Sequence, residues 1–265
     1  MQKKSYLCSM IRFTIITCIY NAEMELERTL NSVRQQNYHE LQHIIIDGAS
    51  RDGTMQIVRK YDDIVRKNNL YDVLVVSERD KGLYDAMNKG LKLADGDYVV
   101  YLNAGDTFHE ASTLSDISNS ICGISPLPGV VYGETNIVDA SGRFKRHRRL
   151  QTPERLTWKS FKDGMLVCHQ SFYALRDIAQ QNPYNQRYRY SADVDWCIRI
   201  MRQAQQRGLS LYNTHLILCD YLEGGMSIKN HRKSLQERFR IMACHYGLLA
   251  TIVQHVRFLI RLRKK

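Results

Sequence analysis

The feature that most restricts how this chain can fold is a repeated switch between two residue periodicities across residues 12–102. Residues 12–20 (RFTIITCIY) are rich in β-branched and apolar side chains and read as a first strand. Met24, Leu26, Leu30 and Val33 then recur near helical spacing within residues 23–36. A second strand at 43–46 runs into DGASRDGT, residues 47–54. An Asp-Gly pair suits a hairpin turn. Here, though, Met55, Ile57, Val58, Tyr61 and Ile64/Val65 continue a helical pattern over 54–68, with Ser50 or Asp52 positioned to cap it. Residues 73–76 form a third strand. Leu83, Met87, Leu91 and Ala94 share one helical face that Gly96 is expected to end. Residues 98–102 close the series. Such alternation implies right-handed crossovers and a mostly parallel sheet with helices on both faces, an α/β fold.

Polar residues gather at the carboxyl end of each of these strands: Tyr20 and Asn21, Asp47, residues 78–81, and residues 103–106. In an open α/β sheet, ligands sit in the crevice beyond the carboxyl ends of the strands. The fourth end is the most distinctive. In DGDYVVYLNAGDTF, residues 95–108, a buried-type strand runs into Asn103, Gly105 and Asp106. Amide and carboxylate oxygens grouped there suit a hard divalent cation carrying phosphates.

The chain has 265 residues, 44% hydrophobic and 25% charged, enough for one large domain with a substantial core. No apolar run approaches the roughly 20 residues of a membrane span. The start, MQKKSYLCSMIRF, lacks the apolar stretch and cleavage site of a signal peptide, so a cytoplasmic protein is expected. Seven scattered cysteines (Cys8, Cys18, Cys122, Cys168, Cys197, Cys219, Cys244) without a CxxC pair read as small buried hydrophobes in a reducing compartment. The net charge of +11 concentrates at RFKRHRR, residues 143–149, and in the final RFLIRLRKK. Nucleic acid, a phosphorylated substrate or an anionic membrane could each answer that surplus. Without an aromatic stacking platform near the basic residues, a nucleic-acid partner is not expected.

Beyond residue 125 the pattern loosens. Strands are expected at 130–132 and 134–138, followed by the basic run, which either holds a pyrophosphate-linked acceptor or is a solvated hairpin face. His169 and Gln170 open another strand, CHQSFYAL. Asp193 and Asp195 in SADVDW precede a helix with Val194, Ile198 and Met201 on its apolar face. Residues 223–227 (EGGMS) form a glycine loop able to cover a diphosphate. Near the end Leu248, Ile252, Val256 and Leu259 make one stripe, flanked by Leu249, Val253 and Ile260, with Arg257, Arg261 and Lys264 across from it. That pattern suits a helix on an anionic membrane surface or one packed on the domain or a second subunit.

The words ITCIYN, SVRQQNY, DGASRDGT, ERDKGLYDAMNKG, ADGDYVVYLNAGD and SADVDW, in this order over roughly residues 11–230, closely resemble the family 2 glycosyltransferases, inverting enzymes of the GT-A fold. The ERDKGLYDAMNKG and LNAGD forms look most like enzymes building bacterial surface polysaccharides, such as the colanic-acid transferases. The resemblance implies a nucleotide-binding half at 11–110 and an acceptor half at 125–230, together a domain of 1–230. A basic helical segment of 231–265 follows. It also implies a nucleotide-diphosphate sugar donor, a UDP-sugar above others, and a lipid-linked glycan acceptor met at the inner membrane surface.

Residue by residue, the resemblance puts Thr17, Tyr20, Asn21, Asp47, Ser50, Asp80, Lys81, Gly82, Asn88, Asn103, Ala104 and Gly105 at the donor. Tyr20 and Asp47 would meet base and ribose, although Asp47 could instead tie down the turn after it. Asp106 matches the last aspartate of the family's DxD motif and would bind Mg²⁺ or Mn²⁺. The first aspartate is replaced, by Asn103 or Ala104 according to register. His169 and Gln170 would contact phosphate or acceptor, with a core role open for His169. Asp193 would be the catalytic base, with Asp195 as the alternative. A catalytically inactive sugar-nucleotide binder is the rival within the family. A nucleotidyltransferase would need glycine after the first strand, and TCIYNAEME has none.

Overall fold

The computed structural model describes residues 10–224 and 230–263. The expected alternation is present as β1 (Phe13–Ile19), α1 (Leu26–Arg34), β2 (Leu41–Asp47), α2 (Thr54–Lys67), β3 (Asp72–Ser77), α3 (Leu83–Leu93) and β4 (Tyr98–Tyr101). β1 lies between β2 and β4, β2 pairs with β3, and all three pairings are parallel. Every residue of β1 and β2 is buried, because helices cover both faces and leave no solvent side to alternate with. Ile16, Cys18, Ile44 and Ile46 pack toward α3, while Ile15 and Val100 belong to the opposite face.

The second half adds β5 (Thr107–Phe108), α4 (Thr113–Ser120), β6 (Val130–Val138), β7 (Phe144–His147), β8 (Phe172–Leu175), α5 (Arg176–Gln181), α6 (Ala192–Gln206), β9 (Leu211–Leu222), α7 (His231–Tyr246) and α8 (Leu248–Arg263). The strands form one sheet ordered β3-β2-β1-β4-β8-β6-β9-β5, with β7 beside β6. β8 is antiparallel to both β4 and β6, so the parallel half passes into a mixed extension without a break. The two strands expected at 130–132 and 134–138 are one strand. Its register against β9 shifts around Gly133, where a Cβ would stand 2.5 Å from the Leu216 carbonyl oxygen. β9 itself had no clear signal in the sequence, yet it is the longest strand. It runs parallel to β6 and antiparallel to β5, closing the sheet around the first half's own loop.

Some local expectations are corrected. α3 ends at Leu93, three residues before Gly96. Gly96 is required for close approach instead: a Cβ there would lie 2.7–2.8 Å from Thr14 N, Arg12 O and Phe13 C, all backbone. α2 begins after Gly53, and Asp52 assists from outside by accepting the Thr54 N–H at 3.1 Å. Cys18, Cys168, Cys197 and Cys219 are buried thiols as expected, but Cys244 is exposed and Cys122 is disulfide-bonded. α8 turns the stripe of Leu248, Ile252 and Val256 outward, so the stripe does not pack on the domain. Cys8, Gly225, Met226, Ser227, Lys264 and the side chains of Leu259, Ile260 and Arg261 lie outside the described residues. Among the described residues no helix is long and apolar enough to cross a membrane.

A buried polar chain crosses the core under β1 and β2. Thr17 Oγ1 meets His43 Nε2 at 3.0 Å, His43 Nδ1 meets the Tyr61 hydroxyl at 2.6 Å, and Tyr61 reaches Tyr71 at 2.9 Å. Burial drives the His43 imidazole down from 6.5 to about 3, so it is neutral in the fold. In the unfolded chain it protonates below about pH 6.5. The native advantage is therefore complete above that pH and lost as pH falls toward 3. Unfolding in urea between pH 7.5 and 4.5 should lose stability more steeply for the parent than for His43→Gln, by up to about 1.4 kcal/mol per pH unit. Equal slopes would mean that His43 titrates normally. Gly96→Ala should cost at least about 2 kcal/mol in the same assay, since none of the three backbone atoms it meets can rotate aside.

Candidate active site

The carboxyl ends of β1, β2 and β3 meet at one rim. Ile19, Asp47 and Ser77 stand in register across the three strands. Tyr20, beyond β1, is 62% exposed, and Gly48 lets it close on β3's outgoing loop: a Cβ there would stand 2.6 Å from Asp80 Oδ2 and 3.2 Å from the Tyr20 ring. Asn21, in a left-handed conformation, donates its N–H to Ser50 Oγ at 2.8 Å and accepts the Arg51 N–H at 2.9 Å. Asp80 Oδ1 accepts the Gly82 N–H at 2.8 Å, fixing the entry of α3. The φ of +124° at Gly82 is what demands glycine, because nothing lies within 4 Å of where a Cβ would point. Lys81 is exposed beside it. Tyr20, Asn21, Ser50, Asp80, Lys81 and Gly82 thus border one opening.

Three expected donor residues do not face it. Thr17 is wholly buried as the partner of His43. Asn88 is spent inside α3, giving its amide N–H to the Tyr184 carbonyl at 3.0 Å and accepting the Tyr184 N–H at 2.7 Å. Asp47 has no exposed surface. Its oxygens accept from the Ser50 N–H and hydroxyl and, at 2.6 Å, from the Ser77 hydroxyl, so it shapes the turn, the structural role left open for it. A carboxylate with those donors has little left for a base.

The loop after β4 is organised by Thr29 of α1, which sequence reasoning passed over as one polar residue in an apolar stripe. Its hydroxyl accepts the Gly105 N–H at 2.9 Å and donates to the Asp106 carbonyl at 2.8 Å. Gly105 holds φ +94°, and Ala104 packs beside Ile19 and Leu26. Asp106 is 3% exposed. Gln170 Nε2 donates to its Oδ2 at 2.7 Å and the Leu222 N–H to its Oδ1 at 2.9 Å. Burial raises its pKa to about 7, against the lowering pull of both hydrogen bonds and of Arg28. Close by in the loop, Asn103 Oδ1 is buried without a partner. An orphaned amide oxygen beside a carboxylate with spare lone pairs is a donor set that fits a divalent cation together with diphosphate oxygens. Among the described residues no three His, Cys, Asp or Glu side chains group as a metal cage. Any cation here would rest on one carboxylate.

His169 does not supplement that set. Its ring stacks on Tyr101 at 5.1 Å, its Nε2 is bonded to the Tyr184 hydroxyl, and burial lowers it to about 4. This is the core role, not a phosphate contact. Gln170, by contrast, touches Asp106 directly.

Asp193 and Asp195, both in the first turn of α6, have opposite surroundings. Asp195 is buried between His245 Nε2 at 2.7 Å and Arg199 Nε at 2.8 Å, and these partners outweigh desolvation to hold its pKa low. It is a structural ion pair. Asp193 is partly exposed and accepts one bond, from the Tyr84 hydroxyl at 3.1 Å. Tyr84 sits in the first turn of α3, just beyond Gly82, which ties Asp193 to the rim described above. The Tyr221 hydroxyl feels both Asp106 and Asp193. Asp106 and Asp193, 87 positions apart in sequence (193 − 106), thus both act on one hydroxyl. Glu237 of α7 fixes the approach to α6 by accepting the N–H groups of Arg189, Tyr190 and Ser191 at 2.8–2.9 Å. Tyr84, Tyr221, Leu222 and Glu237 gave no signal in the sequence, because each acts through contacts made far from its own position. A cavity of about 300 Å³ lined by Asp97, Leu127, Leu175 and Arg176 is at the other end of β4, away from this chemistry.

The family described as Glycosyl transferase family 2 matches residues 14–181. A PGL/p-HBAD biosynthesis glycosyltransferase of Mycobacterium bovis is 31% identical over 244 residues, 91% of this chain and 88% of that protein. The amylovoran biosynthesis glycosyltransferase AmsB of Erwinia amylovora is 27% identical over 71% of this chain and 64% of its own. Residues 1–349 of S. aureus TarS, solved in complex with UDP-GlcNAc, superpose with a TM-score of 0.67 at 17% identity over 94% of this chain and 72% of that one. The mannosyltransferase PcManGT of Pyrobaculum calidifontis, in complex with GDP-Man and Mn²⁺, gives 0.60 at 17% over 93% and 74%. At such identity the two structures establish the GT-A fold alone. The matched family and the mycobacterial relative go further: this chain belongs to glycosyl transferase family 2 and is a glycosyltransferase.

Proposed function

We propose that the protein transfers a sugar, with inversion at C1, from a nucleotide-diphosphate donor to a hydroxyl of a lipid-linked glycan during bacterial surface polysaccharide synthesis. The observation that carries this is a partly exposed carboxylate, Asp193, held by Tyr84 just beyond Gly82, together with a buried carboxylate, Asp106, anchored by Gln170 on the loop after β4. The donor base and ribose lie along Tyr20, Asn21 and Ser50, and the diphosphate crosses Gly82 at the positive end of α3 toward Asp106. Asp106 and the Asn103 amide oxygen are the groups that would hold Mg²⁺ or Mn²⁺, which when bound offsets charge developing on the leaving diphosphate. Asp193 removes the acceptor proton as that oxygen forms its bond to C1 and the C1–phosphate oxygen bond breaks on the opposite face. Tyr84 keeps the Asp193 carboxylate aimed while leaving its other oxygen for the acceptor. Uridine is the base favoured, from the likeness to TarS bound to UDP and UDP-GlcNAc. The surface-polysaccharide setting follows the AmsB relative, and the lipid carrier places the work at the cytoplasmic membrane face.

Asp193→Asn should lower transfer by about 10²–10⁴-fold while calorimetry gives an unchanged donor affinity. Turnover equal to the parent's would remove Asp193 from the mechanism. In a thermal-shift panel of nucleotide diphosphates, UDP should raise the parent's melting temperature more than GDP does. Saturation at a hundred times Kd is worth about 2.7 kcal/mol. Mn²⁺ should add to the UDP shift in the parent and add nothing in Asp106→Asn. An Mn²⁺ increment that survives the substitution would locate the cation elsewhere.

A further inference from the structure

We infer that α8 docks lengthwise on an anionic lipid bilayer, with its apolar side down. The basis is an inversion of the usual amphipathic arrangement. The side of α8 facing the protein is largely polar: Thr251 and Gln254 are buried, Gln254 Nε2 donates to Asp163 Oδ1 at 2.8 Å, and the His255 ring lies 4.9 Å from that of Phe239, with half-buried Phe258 the one aromatic beside it. The outward side carries Leu248, Leu249, Ile252, Val253 and Val256, all between 44% and 80% exposed. A helix that meets its own domain through a largely polar face while presenting five aliphatic side chains to water is shaped for a second apolar phase.

Charge selects that phase. From residue 230 to 263 the chain has seven arginines and lysines and one acid, Glu237, whose carboxylate is occupied by the backbone at 189–191. Arg257 is exposed near the apolar stripe. Aliphatic residues flanked by arginine suit the boundary between acyl chains and acidic headgroups. Two copies of the same helix meeting face to face would instead bring like charge against like. Docking would also orient the chemistry. α7 leads into α8 through Gly247, at φ +89°, and grips α6 through Glu237 and His245, so the surface that meets lipid is coupled to the helix carrying Asp193. The inference deepens the proposed function, and rests on it only in treating the lipid-linked acceptor as the reason for docking.

The test is co-sedimentation of the full chain with vesicles of pure phosphatidylglycerol and of pure phosphatidylcholine, with donor hydrolysis measured in parallel. The parent should bind phosphatidylglycerol at least tenfold more tightly than phosphatidylcholine, and salt should weaken that binding. Leu249→Glu/Val253→Glu, at positions already in water, should lose at least tenfold in vesicle affinity with unchanged melting temperature and donor hydrolysis. Failure of the parent to bind phosphatidylglycerol, or equal binding by the variant, overturns the inference. So does a dimer in light scattering that the double substitution converts to monomer, which would assign the stripe to a second copy. If the parent binds vesicles but never turns over donor, the transferase mechanism fails and the docking stands.

Discussion

A buried carboxylate is the constraint around which this molecule is arranged. Asp106 has been taken out of water, and an ionised carboxyl without donors would be costly there. Its two hydrogen bonds come from Gln170, on the turn before β8, and from the Leu222 N–H at the end of β9. Thr29 of α1 holds the loop that presents it. Three remote segments must all be in place before that oxygen pair is supported. The long pairing of β9 along β6 is what brings the last of them home. Burial raises its pKa to about 7 even so, against the lowering pull of both hydrogen bonds and of Arg28.

The two acidic residues of α6 illustrate how environment assigns roles. Positions two apart on a helix point about 200° away from each other. Asp195 is therefore turned into the α6–α7 contact, where Arg199 and His245 hold it charged and closed. Asp193 is turned toward Tyr84 and the rim, with one oxygen committed. The same residue type two places apart becomes a strut and a candidate base. α7 serves both, since it supplies His245 to the strut and Glu237 to the three N–H groups before the helix.

The outer layer follows a different logic. α8 keeps polar residues against the body and aliphatic ones in water, which no internal packing requirement explains. Together with the basic excess of residues 230–263, the arrangement gives the molecule one face unlike the rest. α7 joins that face to α6, through Glu237 at the backbone before the helix and His245 at Asp195.

What the chain determined by itself was local and periodic. The parallel β1–β4 layer, its three helices and the polar strand ends were legible, because β-branched runs and helical stripes report burial on one side or two within a few residues. The words resembling a family marked Asp106 and Asp193 in the same way. Tertiary structure alone decided which polar residues face the opening. Asp47 and Asn88 look as available in sequence as Asp80, yet Ser77 and the Tyr184 backbone, 30 and 96 positions away, consume them. It also decided β9, whose irregular pattern gains strand character only from β6 and β5 on either side. Periodicity reports how a segment is buried. It is silent about what buries it, and a site is made of those partners.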